Sequence, residues 1–333
     1  MKRILKFFVK SFIIIVFICV AVAGWLMRRA PVLEPRVYGV TFAPGVAEWF
    51  GLDARDTYRA ILDDLRVRHI RIGAYWTEIE RERGTQDFSM LDWQVSEAEA
   101  RGAKLILALG RKVPRWPECH IPSWVRALPR SEQDEELYRY MRTVVERYKN
   151  SSAIEIWQVE NEPYLPFGEC PYDVSETLDQ EVALVHSLDP SRPILTTDSG
   201  ELSIWIRAAK RGDQFGTTMY RRVNNKYFGQ FEYPLPPEFF RAKRAFTELV
   251  VGKKPMMVIE LQGEPWLSKP VNSATVEEQY AVMDPEYFKD TLRYAEASGF
   301  DTFYLWGVEW WYWLKQNGHS EIWEIAKSKI LVE

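Results

Sequence analysis

The strongest constraint on the fold is an alternation of short apolar runs with longer helical patterns from residue 31 to residue 333. Apolar residues between the runs recur at helical spacing, and glycines stand where helices are predicted to end directly before a strand. Alternating strands and helices form a parallel sheet, and eight such units predict a closed (β/α)8 TIM barrel in a single domain. The predicted strands are 37–43, 68–73, 103–109, 153–159, 193–198, 214–219, 255–260 and 300–306; the glycines are Gly102, Gly212, Gly252 and Gly299.

Residues 1–30 follow a different pattern from the rest. The apolar run 12–27 carries no charge, and basic residues flank it on both sides, with more of them before it. This arrangement predicts a transmembrane signal-anchor whose N-terminus stays in the cytoplasm. A cleaved signal peptide is the alternative, because residues 21–23 have the small-x-small form of a cleavage site. Either way, domain 31–333 is expected outside the cytoplasm, membrane-anchored or secreted.

The charge of the predicted domain excludes one class of partner. Residues 1–30 hold six of the 43 basic side chains and none of the 47 acidic ones, so the remainder has a net charge of −10. Nucleic-acid binding needs a basic face, and it is not expected here.

Cofactor and metal signals are missing from the sequence. No Gly-x-Gly-x-x-Gly follows the first predicted strand, which removes the usual support for a dinucleotide site. The four histidines have no paired ligand spacing, so no metal site is expected. They are His69, His120, His186 and His319.

Two cysteines follow predicted strands at similar distances. Cys119 follows the third strand and Cys170 follows the fourth. In an oxidising compartment they are expected to form a disulfide between neighbouring loops. Two free thiols remain the alternative.

Two glutamates stand where hydrophobic strands run out. Glu162 follows the fourth predicted strand and Glu260 ends the seventh. In a parallel barrel the carboxyl ends of all strands open at one end, here called the mouth, where catalytic groups gather. A pair of carboxylates so placed is the equipment of a retaining glycosidase. Glu160 and Glu264 are the neighbouring alternatives.

The motif Asn161-Glu162-Pro163, combined with Glu260 on the seventh strand, resembles the glycoside hydrolases of clan A, most nearly the cellulase-like family 5. The resemblance implies that Glu260 is the nucleophile and that Glu162 is the acid and base of a double displacement. It implies that Asn161 holds the 2-hydroxyl of the sugar, a contact that strengthens in the transition state.

The same resemblance implies roles for three further residues. Arg71 would keep Glu260 ionised, Tyr220 would hydrogen-bond the same carboxylate, and Trp306 would form an apolar platform beneath the reacting sugar. Arg71 could instead neutralise another buried acid. The two aromatic residues could belong only to the core.

Other candidate sugar contacts lie in predicted loops. Trp76 is one of several loop tryptophans that could stack on sugars or only anchor the loops. Glu309 could contact substrate hydroxyls or be a solvated loop residue. The segment 220–239 is aromatic and rich in proline, and it is predicted to form a wall of the mouth.

The match to family 5 has gaps. That family usually places histidines near the ends of strands three or four and six, whereas this chain has Gly110-Arg111 and Met219-Tyr220 there. His120 could supply one imidazole from the third loop, or lie on the surface.

These features predict a retaining β-glycosidase acting on an oligosaccharide or polysaccharide outside the cytoplasm. A transglycosylase, in which a sugar replaces water, uses the same residues. From another class, a noncatalytic glycan-binding barrel is the alternative, although it has no need for both glutamates.

Overall fold

The computed structural model describes residues 36–225 and 227–331, together with Lys10, Ile14, Val16, Phe17, Gly24 and Glu34. The predicted signal-anchor therefore lies almost wholly outside the described residues, and it stays a prediction. Within the part of the chain that is described, no helix is both long and apolar enough to span a membrane.

Eight parallel strands close into a barrel, which confirms the predicted fold. Going round the barrel, the order is β1, β10, β9, β6, β5, β4, β3, β2, and β2 pairs with β1 again. The extra pair, β7 and β8, forms a separate antiparallel hairpin. The strands are β1 Val37–Thr41, β2 His69–Gly73, β3 Lys104–Leu109, β4 Ile154–Val159, β5 Ile194–Asp198, β6 Gln214–Met219, β7 Arg222–Asn225, β8 Gly229–Glu232, β9 Met256–Gln262 and β10 Thr302–Trp306.

Helices of very different length pack around the barrel. Local signals fix several of their starts: the Asp53 and Asp284 side chains each cap a first turn, and Thr275 forms a capping box with Glu278. The α-helices are α1 Pro44–Trp49, α2 Ala54–Asp63, α3 Trp76–Ile79, α4 Ser89–Ala100, α5 Ser123–Arg126, α6 Arg130–Tyr148, α7 Leu178–Leu188, α8 Ile206–Ala209, α9 Pro237–Val251, α10 Val276–Tyr280, α11 Pro285–Glu296, α12 Val308–Gln316 and α13 Glu321–Ile330.

The core has two layers separated by the sheet. The larger layer lies between the strands and the helices, and the buried face of α6 belongs to it. The smaller layer fills the inside of the barrel, where side chains from alternating strand positions meet. It consists of Ile106, Ile156, Leu195, Met257, Ile259 and Tyr304. A cavity of ≈ 470 Å³ lies beyond it at the amino ends of the strands, the pole opposite the mouth, and its lining includes Val37, His69 and Thr302.

The predicted glycine pattern is confirmed at three of four positions. Gly102, Gly252 and Gly299 have φ of 65°, 86° and 83°, the left-handed conformation expected after a helix. Gly212 does not have positive φ, so that part of the prediction is wrong. A Cβ at Gly212 would lie 2.5 Å from the Gln214 carbonyl oxygen, and close approach of the chain is the reason for glycine there.

Candidate active site

The structure brings both predicted glutamates into the mouth. Glu260 lies within β9 and pairs in register with Thr218 of β6, whose hydroxyl donates a hydrogen bond of 3.3 Å to Glu162 Oε1. Glu162 is 7% exposed and Glu260 3% exposed. Two nearly buried carboxyl groups therefore lie beside the end of β6.

Glu260 accepts hydrogen bonds from two side chains. Arg71 Nη1 lies 2.7 Å from Glu260 Oε1, and the Tyr220 hydroxyl lies 3.0 Å from Oε2. The guanidinium is completely buried, so water screens this ion pair little. Each oxygen of Glu260 thus accepts a hydrogen bond from a different side chain.

Arg71 also fixes the orientation of Asn161. Arg71 Nη2 donates to Asn161 Oδ1 at 2.6 Å, and Arg71 Nε donates to Gln158 Oε1 at 2.7 Å. Because the amide oxygen of Asn161 faces the guanidinium, its NH2 group points the other way. That NH2 group is a donor facing Glu118 in the mouth.

Glu162 has a different electrostatic environment from Glu260. Burial and then the negative charge of Glu260 raise its pKa well above the ordinary value, and Lys112 opposes them. Lys112 Nζ bonds the backbone oxygen of Glu162 at 3.0 Å. The Glu162 backbone has φ of 43°, and its N–H donates to Thr197 Oγ1 at 2.8 Å. A protonated carboxyl group is therefore favoured at this position.

Glu160, the alternative to Glu162, supports the neighbouring loop. Its two carboxylate oxygens accept the backbone N–H groups of Arg111 at 2.8 Å and Lys112 at 2.5 Å. The side chain is fully buried and lies against Gly110, where a Cβ would be 2.7 Å from Glu160 Cδ. These contacts hold the start of the loop after β3.

A third carboxyl group in the mouth, Glu118, was not among the sequence candidates. Glu118 is 6% exposed, and its Oε2 accepts a hydrogen bond of 3.2 Å from Asn161 Nδ2. Burial, and then the charge of Glu260, raise its pKa to about 7. The one local signal was its place directly before Cys119, in a loop expected to be crosslinked.

The predicted disulfide is confirmed. Cys119 and Cys170 are bonded, with their Cα atoms 5.1 Å apart. The bond joins the loop after β3 to the loop after β4, so the loops that carry Glu118 and Glu162 are tied together.

Two predicted sugar contacts are wrong. Trp76 is fully buried, stacks on Tyr140 at 4.9 Å and donates to Glu80, so it has no surface to offer a sugar. Glu309 is also fully buried in α12, so it is neither a cleft carboxylate nor a solvated one. Its oxygens accept from the Ala43 N–H and from Arg115, both at 2.7 Å.

Chains of known sequence that resemble this one include mannan endo-1,4-beta-mannosidase F of Aspergillus fumigatus, 32% identical over 127 residues, or 35% of this chain and 28% of the relative. Mannan endo-1,4-beta-mannosidase A of Podospora anserina is 36% identical over 89 residues, or 24% of this chain and 23% of the relative. The chain thus matches under a third of the length of each. No protein-family model matches it.

Solved structures share the barrel. An exo-beta-1,4-mannosidase from Opitutaceae bacterium strain TAV5 superposes with a TM-score of 0.57 at 17% identity, covering 82% of this chain and 51% of that one. Xylanase 10B from Thermotoga maritima gives 0.56 at 16% identity, covering 81% and 82%. At such identities the likeness shows the fold alone. The resemblance to family 5 glycoside hydrolases is confirmed.

Trp306 lies where the family 5 resemblance expects the sugar platform, and its role stays a prediction. The side chain is 8% exposed, and the Arg115 guanidinium covers one ring face at 3.9 Å. Glu264, the alternative to Glu260, accepts from Trp306 Nε1 at 2.8 Å and from Arg115 at 2.6 Å. Glu264 therefore holds these two side chains in place.

His120 is buried, so the surface interpretation was wrong. Burial lowers its pKa to about 4, and Nε2 lies 3.1 Å from the Arg115 backbone oxygen. The neutral ring donates this hydrogen bond and steadies the loop after β3.

An aromatic row runs outward from the carboxylates. Tyr220 meets Trp266 edge-to-face at 5.5 Å, Trp266 meets Phe167 at 5.9 Å, and Phe167 meets Trp116 at 6.1 Å. Trp116 is 63% exposed, so the row reaches the surface. Phe167 was not predicted as a sugar contact, because the predicted loop contacts were tryptophans.

The predicted wall contains the β7–β8 hairpin. The N–H groups of Arg221 and Arg222 donate to Gln262 Oε1 at 2.8 and 3.0 Å, which fixes the base of the hairpin to the end of β9. Among the described residues, no group of three or more potential ligands could hold a metal ion.

Proposed function

We propose that the chain is a retaining glycoside hydrolase that cleaves a β-1,4-linked mannan-type glycan. The observation that carries the proposal is the contrast between two glutamates in one mouth, because Glu260 accepts hydrogen bonds from Arg71 and Tyr220 while burial and the charge of Glu260 raise the pKa of Glu162. A nucleophile paired with a cation and an acid that keeps its proton are what a double displacement needs. The substrate class follows from the endo-mannosidase relatives.

In the first step, a Glu260 oxygen attacks the anomeric carbon and forms a glycosyl ester. The bond from that carbon to the leaving oxygen breaks, and Glu162 gives its proton to this oxygen. Arg71 and Tyr220 orient the attacking carboxylate. Asn161, whose NH2 group faces the mouth, donates toward the 2-hydroxyl side of the sugar.

The second step requires Glu162 to become a base. Forming the ester removes the negative charge of Glu260, which is the second largest cause of the raised pKa of Glu162. The pKa of Glu162 therefore falls once the intermediate exists. Glu162 then takes a proton from water, the water oxygen attacks the anomeric carbon, and Glu260 leaves as a carboxylate.

The setting of the reaction belongs to the same proposal. The disulfide suits an oxidising compartment, and the apolar run 12–27 suits a membrane-anchored or secreted protein with its catalytic domain at 31–333. A transglycosylase would share the first step and differ only in the acceptor. None of the described residues of the mouth favours that acceptor over water.

The test is hydrolysis of β-1,4-mannan and of an activated aryl β-mannoside by the chain and its variants. Glu260→Ala should abolish release from both substrates. Glu162→Ala should abolish mannan hydrolysis but regain turnover of the aryl mannoside with added azide, which needs no base and yields a β-mannosyl azide. The first anomer that the parent releases should be β.

The matched control is Glu132→Ala, an exposed carboxylate in α6, which should leave hydrolysis unchanged. Inversion of the first-formed anomer would reject the retaining mechanism. Glycan binding without hydrolysis by the parent would favour the noncatalytic barrel.

A further inference from the structure

Glu118 has a carboxylate oxygen that the protein leaves available in the mouth. It is about as exposed as the proposed catalytic pair, at 6% against 7% and 3%. Oε2 is occupied by Asn161 Nδ2 at 3.2 Å. Oε1 has no hydrogen-bond partner among the residues that the structure describes, and it is not one of the atoms sealed from solvent. A nearly buried acceptor of this kind calls for a donor from a ligand.

The loop after β3 holds the Glu118 side chain in a fixed position. The Glu118 N–H donates to the Arg115 oxygen at 2.8 Å, the Val113 N–H donates to the Glu118 oxygen at 2.9 Å, and the next residue forms the disulfide. Glu118 has φ of 69°, and at Gly168 a Cβ would lie 2.5 Å from Glu118 Cβ. Backbone bonds and the disulfide already close the loop, so loop closure does not require the carboxyl group.

The electrostatics of the mouth limit what can bind there. Glu118 interacts with the charges of Glu260 and Glu162, while Lys112 and Arg71 offset them. A negatively charged sugar would add a further like charge at low dielectric. A hydroxyl group fits better, because it donates to a carboxylate without bringing charge.

We propose that Glu118 is a sugar-binding residue whose Oε1 accepts a hydrogen bond from the 3-hydroxyl of a neutral glycone. The inference rests on the proposed function, which puts the 2-hydroxyl at Asn161. Glu118 bonds the same amide, so it faces the neighbouring hydroxyl. Carbon 1 carries the bond to be cleaved, so the only hydroxyl vicinal to the 2-hydroxyl is at carbon 3. The mouth therefore selects neutral sugars and excludes uronates.

The experiment compares an aryl β-mannoside with its 3-deoxy analogue in the whole chain. At pH 8, where Glu118 is mainly ionised because its pKa is about 7, the parent should prefer the hydroxylated substrate by about 10- to 100-fold in kcat/KM, the range for a hydrogen bond to a charged group. Glu118→Ala should reduce this ratio to within about threefold of one. Glu169→Ala, an exposed acid beside Cys170, is the matched control and should keep the parent ratio.

Glu118→Gln guards against poor folding of the alanine variant. Glutamine has the shape of glutamate but no charge. In the parent, the charge of Glu118 raises the pKa of Glu162. The alkaline limb of the variant's kcat/KM profile should therefore move to lower pH. An equal loss of kcat/KM on both substrates with an unmoved limb would mean a purely structural role and overturn the inference.

Failure of the proposed function would look different. Should the parent hydrolyse neither substrate, that function is wrong, and calorimetric binding of methyl β-mannoside and its 3-deoxy analogue decides the inference. A preference for the hydroxylated sugar that shrinks in Glu118→Gln and disappears in Glu118→Ala supports a binding role. Equal binding of both sugars by the parent overturns it.

Discussion

At the scale of single residues, the two central glutamates are buried to a similar degree but have different partners. Both are nearly sealed from water, but only Glu260 receives a guanidinium and a phenol. Glu162 has a weak hydroxyl contact at 3.3 Å and three carboxylate neighbours. At similar depth, the proposed acid and the proposed nucleophile thus differ in their hydrogen-bond partners.

The raised pKa of Glu162 sets the pH range of the proposed reaction. The general acid works only when protonated, so kcat/KM should fall as pH rises through the pKa of Glu162. That fall should come well above the ordinary carboxyl value, because burial and Glu260 favour the protonated form. The measurement is a kcat/KM profile from pH 4 to pH 9 on the aryl β-mannoside.

The control for this profile is Glu162→Ala with a substrate whose leaving group needs no proton. Its alkaline limb should be absent. A parent profile that already declines near the ordinary carboxyl pKa would contradict the assignment of Glu162 as the acid.

Local patterns identified residues at strand ends, because a barrel collects those ends in one place. Glu162 and Glu260 could therefore be paired from the sequence, and the resemblance to family 5 added Arg71, Asn161 and Tyr220 to them. Glu118 could not, since its place depends on a loop that returns to the mouth under a disulfide. A sequence also does not show how deeply a side chain is buried, and for that reason the predicted sugar contacts of Trp76 and Glu309 were wrong.

At the scale of elements, the barrel strands could be predicted because each is a compact apolar run with clear boundaries. The β7–β8 hairpin could not, since its residues are partly exposed on both strands and show no buried alternation. Loops after strands carry most of the site, and their shape depends on contacts such as the one between Glu160 and the loop after β3.

Gly110→Ala tests that contact. Gly110 has φ of 131°, and a Cβ would lie 2.7 Å from the buried Glu160 carboxyl carbon. We expect the free energy of unfolding to fall by about 3 kcal/mol or more, because backbone strain and a clash in a sealed site combine. Hydrolysis should also weaken, since Glu160 holds the loop that leads to Glu118.

Gly102→Ala is the matched control. Gly102 also has positive φ, at 65°, but a Cβ there would meet nothing within 4 Å. It should cost only about 1–2 kcal/mol and leave activity unchanged. Chemical denaturation gives both values, and equal losses would show that the Glu160 contact contributes nothing.

At the scale of the whole molecule, buried acids make the barrel less stable in alkali. Burial raises the pKa of Glu118 to about 7 and that of Asp198 to about 6. Above the ordinary carboxyl values, the folded chain binds more protons than the unfolded chain, so stability falls as pH rises to about 7. Hydrogen bonds from Lys315 and Lys327 lower the pKa of Asp64 to about 2. Paired acids of this kind contribute stability that is constant over this range.

We therefore expect the Tm to be higher at pH 5 than at pH 8, as measured by calorimetry. Glu118→Gln should reduce the difference, because one of the titrating groups is gone. A Tm that rises across this interval would show that buried His120, whose pKa burial lowers to about 4, outweighs the buried acids.

The entry point of the chain into the barrel has a consequence for access. Arg36 stands just before β1 and forms an ion pair of 2.7 Å with Glu296, the last residue of α11, at the pole opposite the mouth. A support that holds the protein by its first 35 residues, whether a bilayer, a bead or another domain, is therefore joined to the barrel at the pole opposite the mouth. A long polymer in solution can then reach the carboxylates without passing the point of attachment.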